Sequence, residues 1–114
     1  MRGEIRMVDL GRPLGAESGS LRPAVLVSND AANAVAARLG HGVVTVVPVT
    51  SSIEVVHPFQ MLLPAGETGL PRDSKAQAEQ VRAIAVERVG PVVGRIGGGL
   101  AAALDDALRL QLSL

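Results

Sequence analysis

Two segments of the chain carry polar groups to the end of a strand that reads as buried. The first is Arg22-Pro23-Ala24-Val25-Leu26-Val27-Ser28-Asn29-Asp30, and the second is the apolar run Val43 to Val49, which ends in Thr50-Ser51-Ser52. Arg22 closes a polar loop and precedes a proline, which holds it extended at the mouth of the strand. Its guanidinium stays charged and offers a planar fork that matches phosphate. The plain alternative is a solvated or salt-bridged surface arginine, common and of little energetic weight. Ser51 and Ser52 have two readings as well, donors to a phosphate or residues of a turn.

Other chemistries find no support in the spacing. His41 and His57 stand sixteen residues apart with no HExxH or Cys/His cluster, and there is no cysteine, so neither a metal site nor a disulfide framework is expected. No serine sits in a GxSxG elbow. Gly97-Gly98-Gly99 lacks the Lys-Ser/Thr that completes a phosphate loop, and reads as a strand-to-helix turn. No cofactor is implied.

At 114 residues the chain suits one domain spanning residues 1–114, since domains usually hold roughly 100 to 150. It is 47% hydrophobic, yet it shows neither a long apolar span nor a charged-then-apolar leader, and a cytoplasmic protein is the expectation. The formal net charge is zero, which argues against a non-specific duplex DNA binder. Any nucleic-acid contact must come from local placement of charge. Ten of the eleven basic residues are arginine, which reflects either planar phosphate recognition or the bias of a GC-rich genome.

Stepping along the chain, Gly3 to Leu10 reads as a strand and Gly11 to Leu21 as a long polar loop of the kind that is often functional. A second strand covers about Pro23 to Ser28. Asn29-Asp30 then cap a helix through Arg38, and Gly40-His41-Gly42 turns the chain. The β-branched run Val43 to Val49 predicts a strand buried on both faces, with a bulge or an edge near Pro48. The polar stretch Thr50 to Pro58 leads to a strand at Phe59 to Leu63, with Phe59 in the core. A third loop, Pro64 to Arg72, precedes strands at Ala76 to Ala85 and Val92 to Ile96. Leu100, Leu104, Leu108 and Leu112 recur every four residues and put an apolar stripe on a terminal helix. Short strands, long polar loops and one closing helix imply a small, mostly antiparallel barrel.

These segments agree in order and spacing with one another. With Arg2-Gly3-Glu4-Ile5, Gly15-Ala16-Glu17, Pro48-Val49-Thr50, His57-Pro58-Phe59, Asp73-Ser74 and Glu79-Gln80-Val81-Arg82, the chain resembles the MazF/PemK family of toxin endoribonucleases. The resemblance implies the SH3-like barrel shared by MazF and CcdB toxins, with a C-terminal helix. It matches Arg22 and Thr50 to the family's catalytic pair, and Glu17 to a glutamate implicated in some members. Ala16 stands where a serine is frequent and Ser18 where a glutamine is.

The implied activity is that of the toxin of a type II toxin-antitoxin system: metal-independent, sequence-specific cleavage of single-stranded RNA by attack of the 2′-hydroxyl, leaving a 2′,3′-cyclic phosphate and a 5′-hydroxyl. Arg22 and Thr50 suit stabilisation of the charge that develops on phosphorus oxygens. Neither suits proton transfer near neutrality, so Glu17 is the candidate base, or else a solvated loop carboxylate. By family analogy Ser18, Ser51, Ser52, Asp73, Ser74, Glu79 and Gln80 would read the RNA, His57 would join them or sit as a plain surface histidine, and Lys75 would contact phosphate or sit as a solvated charge at a strand start. Trp and Tyr are absent, so base reading would rest on hydrogen bonds and arginine planes rather than on ring stacking. The implied partners are a cognate antitoxin with an acidic, partly disordered tail and a second copy of the chain. The competing reading on the same barrel is a CcdB-like toxin that traps DNA gyrase and cleaves nothing, or a degenerate member that only binds antitoxin.

Overall fold

A computed structural model describes all 114 residues. Seven strands make up the sheet: β1 (Glu4–Asp9), β2 (Leu21–Leu26), β3 (Val43–Thr50), β4 (Gln60–Leu63), β5 (Ser74–Gln77), β6 (Arg82–Ala85) and β7 (Val89–Arg95). Three helices accompany them, α1 (Asp30–Leu39), α2 (Ala65–Thr68) and α3 (Gly98–Leu112). All pairings are antiparallel, in the order β4-β5-β3-β2-β1-β7, with β6 also on β3. The mostly antiparallel sheet with its C-terminal helix matches the expected class, although the sheet does not close, because β4 and β7 pair with no further strand.

β3 is the central strand, which explains the fate of Pro48. It lies not at an edge but beside a break in register, almost fully buried and opposite Ala24 of β2. On the other side of β3 the partner changes there: β6 covers Val43 to Val46 and β5 covers Val49 and Thr50. A residue without a backbone N–H is tolerated where the ladder is interrupted. The same seam splits the strand expected at Ala76 to Ala85. A 3-10 turn over Ala78–Gln80 separates β5 from β6 and takes up a register slip of three residues along β3. The alternation of apolar and polar residues slips phase at Glu79-Gln80, inside the turn, but a single slip does not by itself specify a turn.

The sheet buries two apolar clusters. Ile5, Val25, Val47, Val49, Leu63 and Leu104 belong to the larger, and Val8, Ala24, Leu26, Val44, Val46 and Ile84 to the second. α3 covers β4 and the 3-10 turn with Leu104, and with Leu100 and Leu108 partly buried beside it. Leu112, the last of the stripe, stays half exposed past the end of the sheet. Asn29 caps α1 as expected, accepting from the Ala32 N–H at 2.8 Å, and Gly40 ends it in the left-handed conformation.

At the start of β1 the buried Glu4 meets three cations, the amino group of Met1 at 2.6 Å, Arg6 at 3.2 Å and Arg95 at 3.3 Å. The hydrogen bond from that amino group, opposed by desolvation and helped by Arg6, holds the carboxyl below its ordinary 4.5. A folded value below the unfolded one means that the cluster stabilises the fold at neutral pH, and that this contribution is lost as pH falls through the folded value. We expect Glu4→Gln to melt earlier than wild type at pH 7, with the two melting curves converging in acid. Midpoints that stay parallel across the titration would remove Glu4 from the linkage.

Candidate active site

The register of β2 on β3 builds the site. Ala24 lies opposite Pro48, and two residues beyond each of them Arg22 and Thr50 come to the wall of one cleft. β5 pairs Lys75 with Thr50, and the neighbouring Ser74 and Ser51 both reach the cleft. A cleft of about 320 Å³ opens over this corner, with Arg22, Thr50, Ser51, Ser74 and Arg72 in its wall. Its twelve lining residues include no carboxylate and no imidazole.

Arg22 is the second residue of β2 rather than the last of the loop, because Val8 and Asp9 of β1 pair with Arg22 and Leu21. Its Nε donates to the Gly19 carbonyl at 2.9 Å, which orients the fork and leaves the terminal N–H groups without a protein partner. Gly19 has room for no side chain, since a Cβ there would lie 2.4 Å from Pro13 Cδ. Thr50 Oγ1 accepts from the Ser52 N–H at 3.2 Å, so its hydroxyl proton remains available to a ligand. Ser51 lines the cleft, and Ser52 supplies the turn through its backbone. Arg2, Arg6, Arg88, Arg95 and Arg109 pair with carboxylates, whereas Arg22 and Arg72 pair with none and share one concavity. A chain of zero net charge thus concentrates positive potential at this point.

The remaining residues singled out by sequence lie elsewhere, and several are occupied. Glu17 does not line the cleft: its exposed carboxylate accepts from the Leu14 N–H at 2.9 Å and shapes its own loop. Ser18 is buried, with its hydroxyl on Gln77 at 3.1 Å. Lys75 is neither solvated nor aimed at the cleft, because its buried ammonium donates to the Val55 carbonyl at 2.6 Å and braces the loop after Thr50. Asp73 accepts from the Ala65 N–H at 2.8 Å, at the start of α2. Ser74 does reach the cleft, buried, with its hydroxyl donating to the Arg72 carbonyl. Glu79 accepts from Gln60 Nε2 at 2.6 Å while its Oε1 is buried with no partner. His57 is exposed and stacks on Phe59, with ring centroids 5.2 Å apart. Phe59 is therefore a half-buried loop residue and not a core side chain, since β4 begins after it.

Gln80 ties the first loop to the sheet. It accepts from the Ser18 N–H at 3.2 Å and donates to the Ala16 carbonyl at 2.9 Å, next to the Gly19 carbonyl that holds Arg22. A side-chain hydrogen bond is worth about 1 kcal/mol. Gln80→Ala is therefore expected to speed amide exchange at Ser18 by about tenfold while the strands keep their protection. Unchanged exchange would show that the loop holds itself. Arg72, Gln60 and Gln77 were not singled out by the sequence. The one available signal was Pro71-Arg72, a proline-flanked arginine ending a polar loop much as Arg22 does.

Comparison with known proteins extends over nearly the whole chain. The family described as PemK-like, MazF-like toxin of type II toxin-antitoxin system matches residues 1–112. A protein named Endoribonuclease MazF9 from Mycobacterium tuberculosis is 58% identical over 113 residues, covering 99% of this chain and 96% of its own length. The crystal structure of MazF from Deinococcus radiodurans superposes with a TM-score of 0.78 over 99% of this chain and 96% of its own, at 24% identity. A mycobacterial endoribonuclease solved in complex with its cognate antitoxin gives a TM-score of 0.75 at 20% identity, over 100% and 95% of the two chains. At such identities the two structures speak for the fold.

Proposed function

From the premise that this chain belongs to the PemK-like, MazF-like toxin family of type II toxin-antitoxin systems, we propose that it is a toxin endoribonuclease that cuts single-stranded RNA at the phosphodiester held between Arg22 and Thr50. The observation that carries the reading is the presence of those two side chains in the wall of one cleft without acidic groups. A phosphate entering it meets a fork already oriented by Gly19 and a hydroxyl free to donate.

In the reaction the 2′-hydroxyl oxygen attacks the adjacent phosphorus and the bond from phosphorus to the 5′-oxygen breaks. A 2′,3′-cyclic phosphate and a 5′-hydroxyl remain. Arg22 and Thr50 stabilise the non-bridging oxygens as their charge grows, an effect that strengthens where water is scarce. The proton lost by the 2′-hydroxyl passes to solvent and the departing 5′-oxygen takes one from solvent, because the cleft wall holds no base. Glu17 acts on this reaction through the loop that carries Gly19. The lining also offers no carboxylate or imidazole to a divalent ion, which supports metal independence. His57, exposed shortly before β4 and outside the cleft, serves as a reader of flanking bases, whereas the carboxylate of Glu79 is taken up by Gln60 and by burial.

The same unpaired guanidinium groups suit carboxylates, and a cognate antitoxin with an acidic tail is the proposed inhibitor. Leu62 on β4 and Leu110 and Leu112 on α3 are exposed, and form the proposed contact with a second copy. Incubating purified protein with a long transcript in EDTA and mapping new 5′ ends tests the reading. Sharp cuts at one short motif are expected. An intact transcript with folded protein would move the chain to the gyrase-binding or antitoxin-binding alternatives.

A further inference from the structure

Arg72 is the cationic wall residue to which the reaction above assigns nothing. It ends the loop before β5, is exposed, and engages no carboxylate or hydrogen-bond acceptor through its guanidinium, while its carbonyl is pinned by the Ser74 hydroxyl at 3.1 Å. Of the five arginines without a carboxylate partner (Arg12, Arg22, Arg38, Arg72 and Arg82), only Arg22 and Arg72 share a cleft. They come to it from opposite sides. Arg22 is on β2, Thr50 on β3 between them, and Arg72 leads into β5 on the far side of β3. Two strand spacings separate their backbones by roughly 10 Å. Two cations that reach one cleft from strands on either side of Thr50, with hydroxyls in the wall between them, suit a ligand with repeated negative charge better than a single anion.

We propose that Arg72 holds the phosphate next to the scissile one, so that the cleft grips two consecutive phosphates of the RNA. The assignment rests on the ribonuclease reading and adds a binding subsite to it. Such a subsite makes cleavage sensitive to one extra phosphate that takes no part in bond breaking, and binding energy from that remote group is available for orienting the reacting one. It also adds to salt dependence, by about 0.7 in the slope of log affinity on log salt for a single-stranded ligand.

The test uses the dinucleotide that contains the mapped cut and the two trinucleotides that extend it by one nucleotide on either side. In wild type one of the trinucleotides is expected to exceed the dinucleotide in kcat/KM by about tenfold, the scale of one charge-assisted contact. Arg72→Ala collapses that ratio toward one and lowers the salt slope by about 0.7. Arg72→Lys, which keeps charge without the fork, retains part of the ratio. A neutral methylphosphonate at the adjacent position reproduces the collapse in wild-type protein, which keeps the test independent of how any variant folds. A ratio unchanged in Arg72→Ala overturns the assignment. So does a dinucleotide that suffers as much as the trinucleotide, since Arg72 would then serve the scissile phosphate itself. Failure of wild type to cut any RNA is a separate result and sinks the ribonuclease reading first.

Discussion

Arg22→Ala is expected to lower the rate of RNA cleavage by about a thousandfold at saturating substrate, the upper range for loss of one preorganised donor to a developing oxyanion. The fold should survive. Arg22 makes one hydrogen bond, to Gly19, and no ion pair, so removing it unpairs no buried charge. A thermal midpoint within a few degrees of wild type checks this. Arg22→Lys is expected to recover only a small part of the rate, because a lysine ammonium presents neither the fork nor the Nε–H that Gly19 orients. Glu17→Gln in the same assay should stay within about threefold of wild type, since its carboxylate is spent on the Leu14 amide and lies outside the cleft wall. A loss for Glu17→Gln as deep as that for Arg22→Ala would return the role of base to the glutamate and refute proton exchange with solvent.

Thr50→Val is the second large effect, about a hundredfold in kcat with KM little changed. Valine keeps the branched shape that a β3 position favours and removes only the hydroxyl. The hydroxyl has two tasks in the structure: it accepts from the Ser52 N–H and leaves its own proton to the ligand. Thr50→Ser separates them, since serine retains both functions and loses only the methyl group. Near-complete recovery in serine assigns the loss to the donor. Equal loss in valine and serine would mean that Thr50 acts by packing, and the claim that it meets the phosphate would fall.

Much of this chain was legible before any coordinates. The arginine-proline run into a valine-rich strand, the Asn29 cap of α1 and the leucine stripe of α3 each follow from local chemistry, and β1, β2, β3, α1 and α3 fall close to where they were expected. The errors share a cause. Pro48 pointed to a bulge or an edge without deciding between them, and Ala76 to Ala85 read as one strand, because a residue's own preferences do not report which strand lies on either side of it. Phe59 looked like core for the same reason, since a large ring near a strand is usually buried and this one stacks on His57 outside it.

The site divides in the same way. Which residue types could bind phosphate was a matter of side-chain chemistry, and Arg22 and Thr50 could be picked out from their types and their places at strand ends. Whether each was free to do so depended on contacts made across the chain. Lys75, Asp73, Ser18 and Gln80 have the right groups and already hold Val55, Ala65, Gln77 and the first loop. Arg72, marked locally only by the proline before it, is left unpaired in the cleft wall. A hydrogen-bonding group can be recognised from its residue, but its availability is set by partners that lie from 8 to 64 residues away, and only the folded chain brings those partners within reach.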